Sequence, residues 1–263
     1  MGANGKGRVL IVAGSDSGGG AGIQADIKTV TMLGGYAMTA VTAVTVQNTL
    51  GVSAVHKVPP EIVAAQIVAT LSDIGADVIK TGMLVDRDCI IAAADALKDF
   101  AIPCVVDPVM VAKGGHALLA DDAAAALIER FARGAAVLTP NLPEAAVLTG
   151  RTITTESDMH AAVPALRALG AKAVLLKGGH LDGPRVVDLL ILGSEVVRFD
   201  DARIDTRATH GTGCTLASAI ATGMAHGLGV EQAVRRARVF VRHAMESAVP
   251  LGQGHGPLNH GAR

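Results

Sequence analysis

Nine consecutive positions, Gly14-Ser-Asp-Ser-Gly-Gly-Gly-Ala-Gly22, hold five glycines directly after a short apolar run. Glycine lets the backbone turn sharply and approach a ligand closely, so a strand, a glycine turn and a helix in succession aim several N–H groups at one point. The functional reading is contact with an anion or a closely packed ligand; the bland one is a tight turn under a helix. Gly20-x-Gly22-x-x-Ala25 also matches a dinucleotide fingerprint, but Val46-Gln47-Asn48 stand where that motif needs an acidic residue. No Gly-Lys-Ser/Thr follows, so it is not a P-loop. A second segment, Thr209-His210-Gly211-Thr212-Gly213-Cys214-Thr215, opens a helix. Converging N–H groups there would form an anion hole for a group with developing negative charge, which makes Gly211, Thr212, Gly213 and Cys214 candidate catalytic residues. Cys214 falls in the first turn, where the helix field is expected to lower a thiol pKa from ~8.5. It is open to three readings: a base, a covalent nucleophile, or a small buried hydrophobe. Cys89 and Cys104 lie in helix and strand patterns and are expected to pack.

Acidic and basic groups stand at the ends of apolar runs. Asp107, Asn141 and Glu144 offer the oxygen ligands that Mg²⁺ takes. Glu144 is also three residues beyond Asn141, which alone would suit a helix start. Lys177, beside Gly178-Gly179, has the charge to neutralise nucleotide phosphates. His255 and His260 lack a third ligand with matching spacing, so structural roles are expected for both.

These groups need a scaffold, and the chain supplies a regular one. Short apolar runs at 9–13, 38–46, 78–79, 105–106, 137–138 and 174–176 alternate with amphipathic segments. The alternation predicts an α/β fold with a mostly parallel central sheet, helices on both faces, and ligands beyond the carboxyl ends of the strands. Residues 186–192 and 196–199 flank Gly193-Ser194 as a hairpin. Helices are expected at about 22–33, from Pro60 to near Gly75, at 215–226 and at 230–249, and Pro164 should kink a helix or mark its start.

Composition narrows the function. In 263 residues, 50% hydrophobic and 18% charged, disorder is excluded. A net charge of −1 and 2% aromatics offer neither an electrostatic footprint nor a stacking platform for nucleic acid. No apolar stretch is long enough to span a membrane. Three widely spaced cysteines fit no zinc site or disulfide framework. The apolar run at 9–13 is too short for a signal peptide, so a cytoplasmic protein is expected. One domain over 1–263 is expected, with 1–7 flexible.

Taken in order, several blocks resemble the hydroxymethylpyrimidine/phosphomethylpyrimidine kinases of thiamin biosynthesis, a branch of the ribokinase-like superfamily. They are Ala13-Gly-Ser-Asp-Ser-Gly-Gly-Gly-Ala-Gly-Ile-Gln-Ala-Asp26, Thr42-Ala-Val-Thr-Val-Gln-Asn-Thr49, Lys80-Thr-Gly-Met83, Val106-Asp-Pro-Val-Met-Val-Ala-Lys-Gly-Gly115, Thr139-Pro-Asn-Leu-Pro-Glu144, Leu176-Lys-Gly-Gly-His180, His210-Gly-Thr-Gly-Cys214 and Gly254-His-Gly-Pro-Leu-Asn-His260. The resemblance runs from about residue 8 to 260. It implies a single-domain ribokinase-like three-layer αβα fold and an ATP- and Mg²⁺-dependent enzyme, with a homodimer as its suggested assembly. The implied reaction phosphorylates 4-amino-5-hydroxymethyl-2-methylpyrimidine to its monophosphate and then to the diphosphate. By the same resemblance Gly14, Asp26, Gln47, Met83 and Val111 line the pyrimidine pocket, and Asn141, Glu144, Lys177 and Thr212 face ATP and its metal; Asp107, by its oxygen chemistry, joins Glu144 as a candidate metal ligand. Gln47 offers an acceptor and a donor to an exocyclic amine and its neighbouring ring nitrogen. If Cys214 acts as a base, its loss should harm phosphorylation of the alcohol more than that of the monophosphate. Pyridoxal/pyridoxine kinase on the same fold is the nearest alternative; a dinucleotide-dependent oxidoreductase and a non-catalytic pyrimidine sensor are more distant ones.

Overall fold

The computed structural model describes residues 6–110 and 123–262. The expectations for Val111 and for residues 1–5 fall outside the described residues. The apolar runs form β1 (Arg8–Asp16), β2 (Tyr36–Asn48), β3 (Gly51–Lys57), β4 (Val78–Thr81), β5 (Cys104–Val106), β6 (Val137–Leu138), β7 (Ala173–Lys177), β8 (Arg185–Leu192) and β9 (Glu195–Ala202). Between them lie α1 (Gly22–Met32), α2 (Pro60–Asp73), α3 (Arg87–Leu97), α4 (Ala123–Leu127), α5 (Leu142–Thr149), α6 (Glu156–Ala168), α7 (Thr212–Ala225) and α8 (Val230–Glu246). Among the described residues the strands make one sheet in the order β3-β2-β1-β4-β5-β6-β7-β8-β9. β2, β1, β4, β5, β6 and β7 run parallel, and β3, β8 and β9 are antiparallel additions at the two edges.

The period of two along β1 divides its side chains between two cores. Val9, Ile11 and Ala13 pack with Val30 of α1, Ile220 of α7 and Val241 of α8. Leu10 and Val12 pack on the other face with Ile67 of α2, Ile90 of α3 and Leu166 of α6. Burial on both faces explains why the central strands read as continuous apolar runs. The fold is the expected three-layer αβα arrangement.

Three boundaries differ from the expectation. α7 starts at Thr212 rather than near 215, which places Thr212, Gly213 and Cys214 in its first turn. α8 ends at Glu246, short of 249. α6 starts at Glu156, where Thr155 and Asp158 form a capping box, and it continues through Pro164. Pro164 therefore does not mark a start. Its ring nitrogen has no hydrogen for the His160 carbonyl, but Met159, Val163 and Leu166 are buried around it and hold the helix to the sheet.

The C-terminal segment straps the site loops from behind. His210 N–H donates to the Gly256 carbonyl at 3.0 Å, and His255 N–H donates to the Thr49 carbonyl at 3.0 Å. His260 Nε2 lies 2.9 Å from the Thr215 hydroxyl. Burial, aided by the charge of Lys28, pushes the His260 imidazole down to about 4. This fits the structural role expected for it. Between the unfolded value of ~6.5 and about 4, the unfolded chain takes up a proton that the folded chain refuses. The stability that depends on His260 therefore falls as pH falls through this window. The difference in unfolding free energy between wild type and His260→Asn, from urea denaturation, should shrink by about 3 kcal/mol from about pH 7 to about pH 4. A constant difference would mean that the buried imidazole protonates normally.

Candidate active site

Two strand irregularities shape the first wall. The β1–β2 register slips between Ala13 and Ser15, at Gly14, and the β2–β3 register slips between Val46 and Gln47. A bulge re-aims the side chains beside it, and here it turns the ends of two neighbouring strands toward one cavity. Met83 lies against Gly14, where a Cβ would come within 2.4 Å of its methyl carbon. The Thr42 hydroxyl holds Met83 in place by donating to its carbonyl at 2.7 Å.

Asp16 organises the glycine-rich loop. Its carboxylate accepts from the N–H groups of Gly18 at 2.8 Å, Gly20 at 3.0 Å and Ala21 at 2.7 Å. His210 Nε2 lies 2.8 Å from the same carboxylate. Burial alone would raise the Asp16 carboxyl, but the His210 hydrogen bond and the loop N–H groups outweigh it and hold Asp16 below the usual range. Gly211 then docks on this loop: its φ is +82°, and a Cβ would sit 1.8 Å from the Gly20 carbonyl oxygen. Gly22, at φ +55°, also packs on backbone: a Cβ there would sit 2.4 Å from the Gly14 carbonyl oxygen. The two glycine-bearing segments thus meet backbone to backbone, which side chains at these positions would prevent.

Beneath the start of α7 lie the charges. A Cβ on Gly213 would stand 3.3 Å from Lys177 Nζ and 3.5 Å from Asp107 Oδ2. Lys177 donates to Asp107 at 3.0 Å, and Thr139 donates to the same carboxylate oxygen at 3.2 Å. Burial works against the Lys177 ammonium, but Asp107 and Glu144 hold it charged, above its ordinary value. The thiol of Cys214 departs from expectation. Burial pushes it up to about 12, and the opposing charge of Lys80 does not restore it. The helix field is outweighed by desolvation, so Cys214 is a protonated thiol at neutral pH. Burial likewise holds Cys89 and Cys104 at about 12, in keeping with packing roles.

Asp26, expected in the pocket wall, is not there. It is completely buried, takes two hydrogen bonds of 2.9 Å from Lys80 and accepts from Ser218 at 2.7 Å. Its helix position turns it inward, under the cavity floor, while Lys80 itself contributes to that floor. Burial would discharge Lys80, but the contact with Asp26 keeps its ammonium charged.

Asn141 and Glu144 form a capping box at the start of α5, with Glu144 N–H donating to Asn141 at 2.9 Å and Asn141 N–H donating to Glu144 at 2.8 Å. Glu144 is therefore a structural cap as well as an acidic group facing the cavity. Burial raises it to about 7; Lys177 pulls it down and Asp107 pushes it further up. No cluster of three metal-ligating side chains occurs among the described residues. Mg²⁺ needs only one or two carboxylates when phosphate oxygens and water complete its shell. Asp107 and Glu144, buried and in each other's field, fit that requirement.

The expected site residues among the described ones, apart from Asp26, line one cavity of about 1000 Å³. Gly14, Gln47 and Met83 line one end; Asn141, Glu144 and Lys177 line the other, with Asp107 and Gly211, Thr212, Gly213 and Cys214 also on its wall. Sequence reasoning missed Asp16, Lys80 and the side chain of His210. It also missed Arg238, which lines the far end, ion-paired to Asp188 and, at 2.5 Å, to Asp201. Asp16 and His210 stand inside the two glycine-bearing motifs, and Lys80 stands at a strand end; those placements were the available signals.

A mostly parallel αβα sheet whose strand ends bring a glycine-rich helix start, two lysines and two buried carboxylates to one cavity suits a phosphotransferase for small molecules. The phosphomethylpyrimidine kinase family model matches residues 16–259, and the chain belongs to that family. It is 53% identical, over 97% of its length, to the "Thiamine biosynthesis bifunctional protein ThiED" of Geobacter sulfurreducens, of which it spans 52%. It is 50% identical to the "Hydroxymethylpyrimidine/phosphomethylpyrimidine kinase" of Rhizobium meliloti, covering 95% of this chain and 96% of that one. Among solved structures, an ADP complex of Bacillus subtilis pyridoxal kinase is similar at a TM-score of 0.90 and 39% identity, with 98% of each chain covered. Phosphomethylpyrimidine kinase from Clostridium difficile 630 is similar at a TM-score of 0.81 and 39% identity, over 91% of this chain and 99% of that one.

The Lys80–Asp26 pair yields a stability test. Lys80→Met leaves a buried carboxylate without its counter-ion and should cost about 3–5 kcal/mol in chemical denaturation. Adding Asp26→Leu should return most of that loss, because both charges are then gone. A double variant no more stable than the single one would show that the pair is needed for packing rather than for charge balance.

Proposed function

We propose that this chain catalyses ATP-dependent phosphorylation of 4-amino-5-hydroxymethyl-2-methylpyrimidine to its monophosphate and then to the diphosphate, in thiamin diphosphate biosynthesis. The observation that carries the reading is the single cavity with a Gly14–Gln47–Met83 end, an Asn141–Lys177 end and the start of α7 on its wall. The activities for which its relatives are named support it.

The flat ring lies in the first end, against Met83, whose polarizable thioether suits an aromatic face. Gln47 pairs with the ring's amine and adjacent nitrogen. The nucleotide takes the other end, near Asn141, Thr212 and Lys177. N–H groups from Gly211 to Cys214 then point at the transferring phosphoryl group, where positioning and charge neutralisation do most of the work. Asp107 and Glu144 would hold Mg²⁺, which when bound neutralises phosphate charge. Cys214, protonated by burial, closes the anion hole and does not serve as a base. The chain acts as one kinase domain, in the cytoplasm. Among the described residues no helix is long and apolar enough to cross a membrane. It assembles as a homodimer; Val44 and Val46, exposed on one face of β2, and Leu50 at the β2–β3 turn are apolar surface suited to a second copy.

Pyridoxal kinase is the second reading, because the B. subtilis pyridoxal kinase shares the whole fold. ADP release with Mg²⁺-ATP decides between them. Turnover with the hydroxymethylpyrimidine and its monophosphate, and little with pyridoxal, is the expected result. Turnover mainly on pyridoxal would keep the phosphotransferase and replace the substrate. For Cys214, a thiol kept protonated by burial supports equal rather than unequal damage. Cys214→Ala should lower kcat by similar factors with the alcohol and with the monophosphate; a selective loss with the alcohol would restore the base role.

A further inference from the structure

Resting on the proposed pyrimidine kinase activity, we propose that His210 and Thr45 are specificity-determining positioning residues that fix which way the Gln47 amide faces. Gln47 ends between two fixed partners. One terminal atom, at the Nε2 position, lies 3.3 Å from His210 Nε2; the other, at Oε1, lies 3.1 Å from the Thr45 hydroxyl.

The hydrogens in this cluster are few and already committed. Asp16 is an ionised acceptor, so the hydrogen on His210 Nε2 points at it across 2.8 Å. That hydrogen is present whether the imidazole is neutral or protonated. An amide nitrogen facing the same Nε2 would set donor against donor. On the other side the single hydroxyl hydrogen of Thr45 goes to the Ser15 carbonyl, at 2.8 Å. Thr45 then has only lone pairs for the amide, so an amide oxygen there would set acceptor against acceptor. Turning the amide by half a turn removes both conflicts at once. Its oxygen shares the His210 hydrogen with Asp16, and its nitrogen donates to Thr45.

The pinned amide keeps one lone pair and one N–H for a ligand, with the oxygen on the His210 side. A 4-aminopyrimidine presents a donor amine beside an acceptor nitrogen and matches this order. Its deaminated 4-oxo analogue presents an acceptor beside an N–H and requires the opposite order. The ring cannot turn over to compensate, because that would carry its hydroxymethyl group away from the start of α7. Asp16, which also holds the glycine loop, thereby ties substrate choice to the loop that closes on α7.

The test compares kcat/KM for 4-amino-5-hydroxymethyl-2-methylpyrimidine with that for its 4-oxo analogue. In His210→Leu, and in the near-isosteric Thr45→Val, the preference for the amino substrate should fall at least about tenfold, mainly through KM, with the 4-oxo analogue gaining. His210→Gln, which keeps an N–H donor, should hold the preference. If both substrates slow in equal proportion in both variants, the residues are structural and the inference fails. Should His210→Leu not fold, Thr45→Val alone decides. Wild-type enzyme that turns over neither pyrimidine would instead overturn the proposed function, and this inference with it.

Discussion

The Asp16 carboxylate is the interaction on which the site depends. It collects three backbone N–H groups from the glycine loop and the imidazole of a residue 194 positions away. Four donors on one carboxylate compensate its burial and keep it ionised. Without them the loop from Ser17 to Ala21 would have no reason to adopt one shape, since its glycines carry a high entropic cost of ordering. With them, the loop becomes a surface on which Gly211 lands. The end of β1, the start of α1 and the start of α7 are then fixed relative to one another by one charged group.

A second buried charge stands below. Lys80 and Asp26 are both fully buried, and the cost of removing two ions from water is met only by close mutual contact and the Ser218 hydroxyl. Such a pair is a poor way to gain stability. Its placement at the cavity floor, where the Lys80 charge acts on both Cys214 and Asp107, gives it a use that a hydrophobic replacement would lack. The fold thus fixes a cation beneath the first turn of α7, held in place by Asp26.

The sheet, its mostly parallel order and its edge hairpin were readable because burial on both faces forces apolar runs, and turns force glycine. Lys177, Gly213 and the Asn141–Glu144 box were readable for the same kind of reason: each has a local signature. What could not be read is the pairing of distant groups. Nothing local tells that Asp16 faces His210, or that Asp26 turns inward to Lys80 rather than outward to a ligand. The bulge at Gln47 is equally invisible, since it arises from the β3 register and not from the residue itself. Cys214 failed in an instructive way. Its place in a helix first turn was foreseen, but the field of a helix end is modest beside the cost of desolvating a thiolate, and burial is a tertiary quantity.

The charges at the Asn141–Lys177 end bear on the proposed use of a cation and a polyphosphate together. Lys177 is matched by Asp107, at 3.0 Å, so its charge is already partly spent. Glu144 is then the surplus carboxylate, and burial beside Asp107 raises it to about 7. A bare polyphosphate entering this end would meet two carboxylates and one neutralised lysine, an unfavourable balance. In the proposed reaction a divalent ion would reverse it: Asp107 and Glu144 would hold the ion, leaving Lys177 to face phosphate oxygens. On the proposed reading, the Lys177–Asp107 pairing would therefore also make nucleotide binding there depend on a metal.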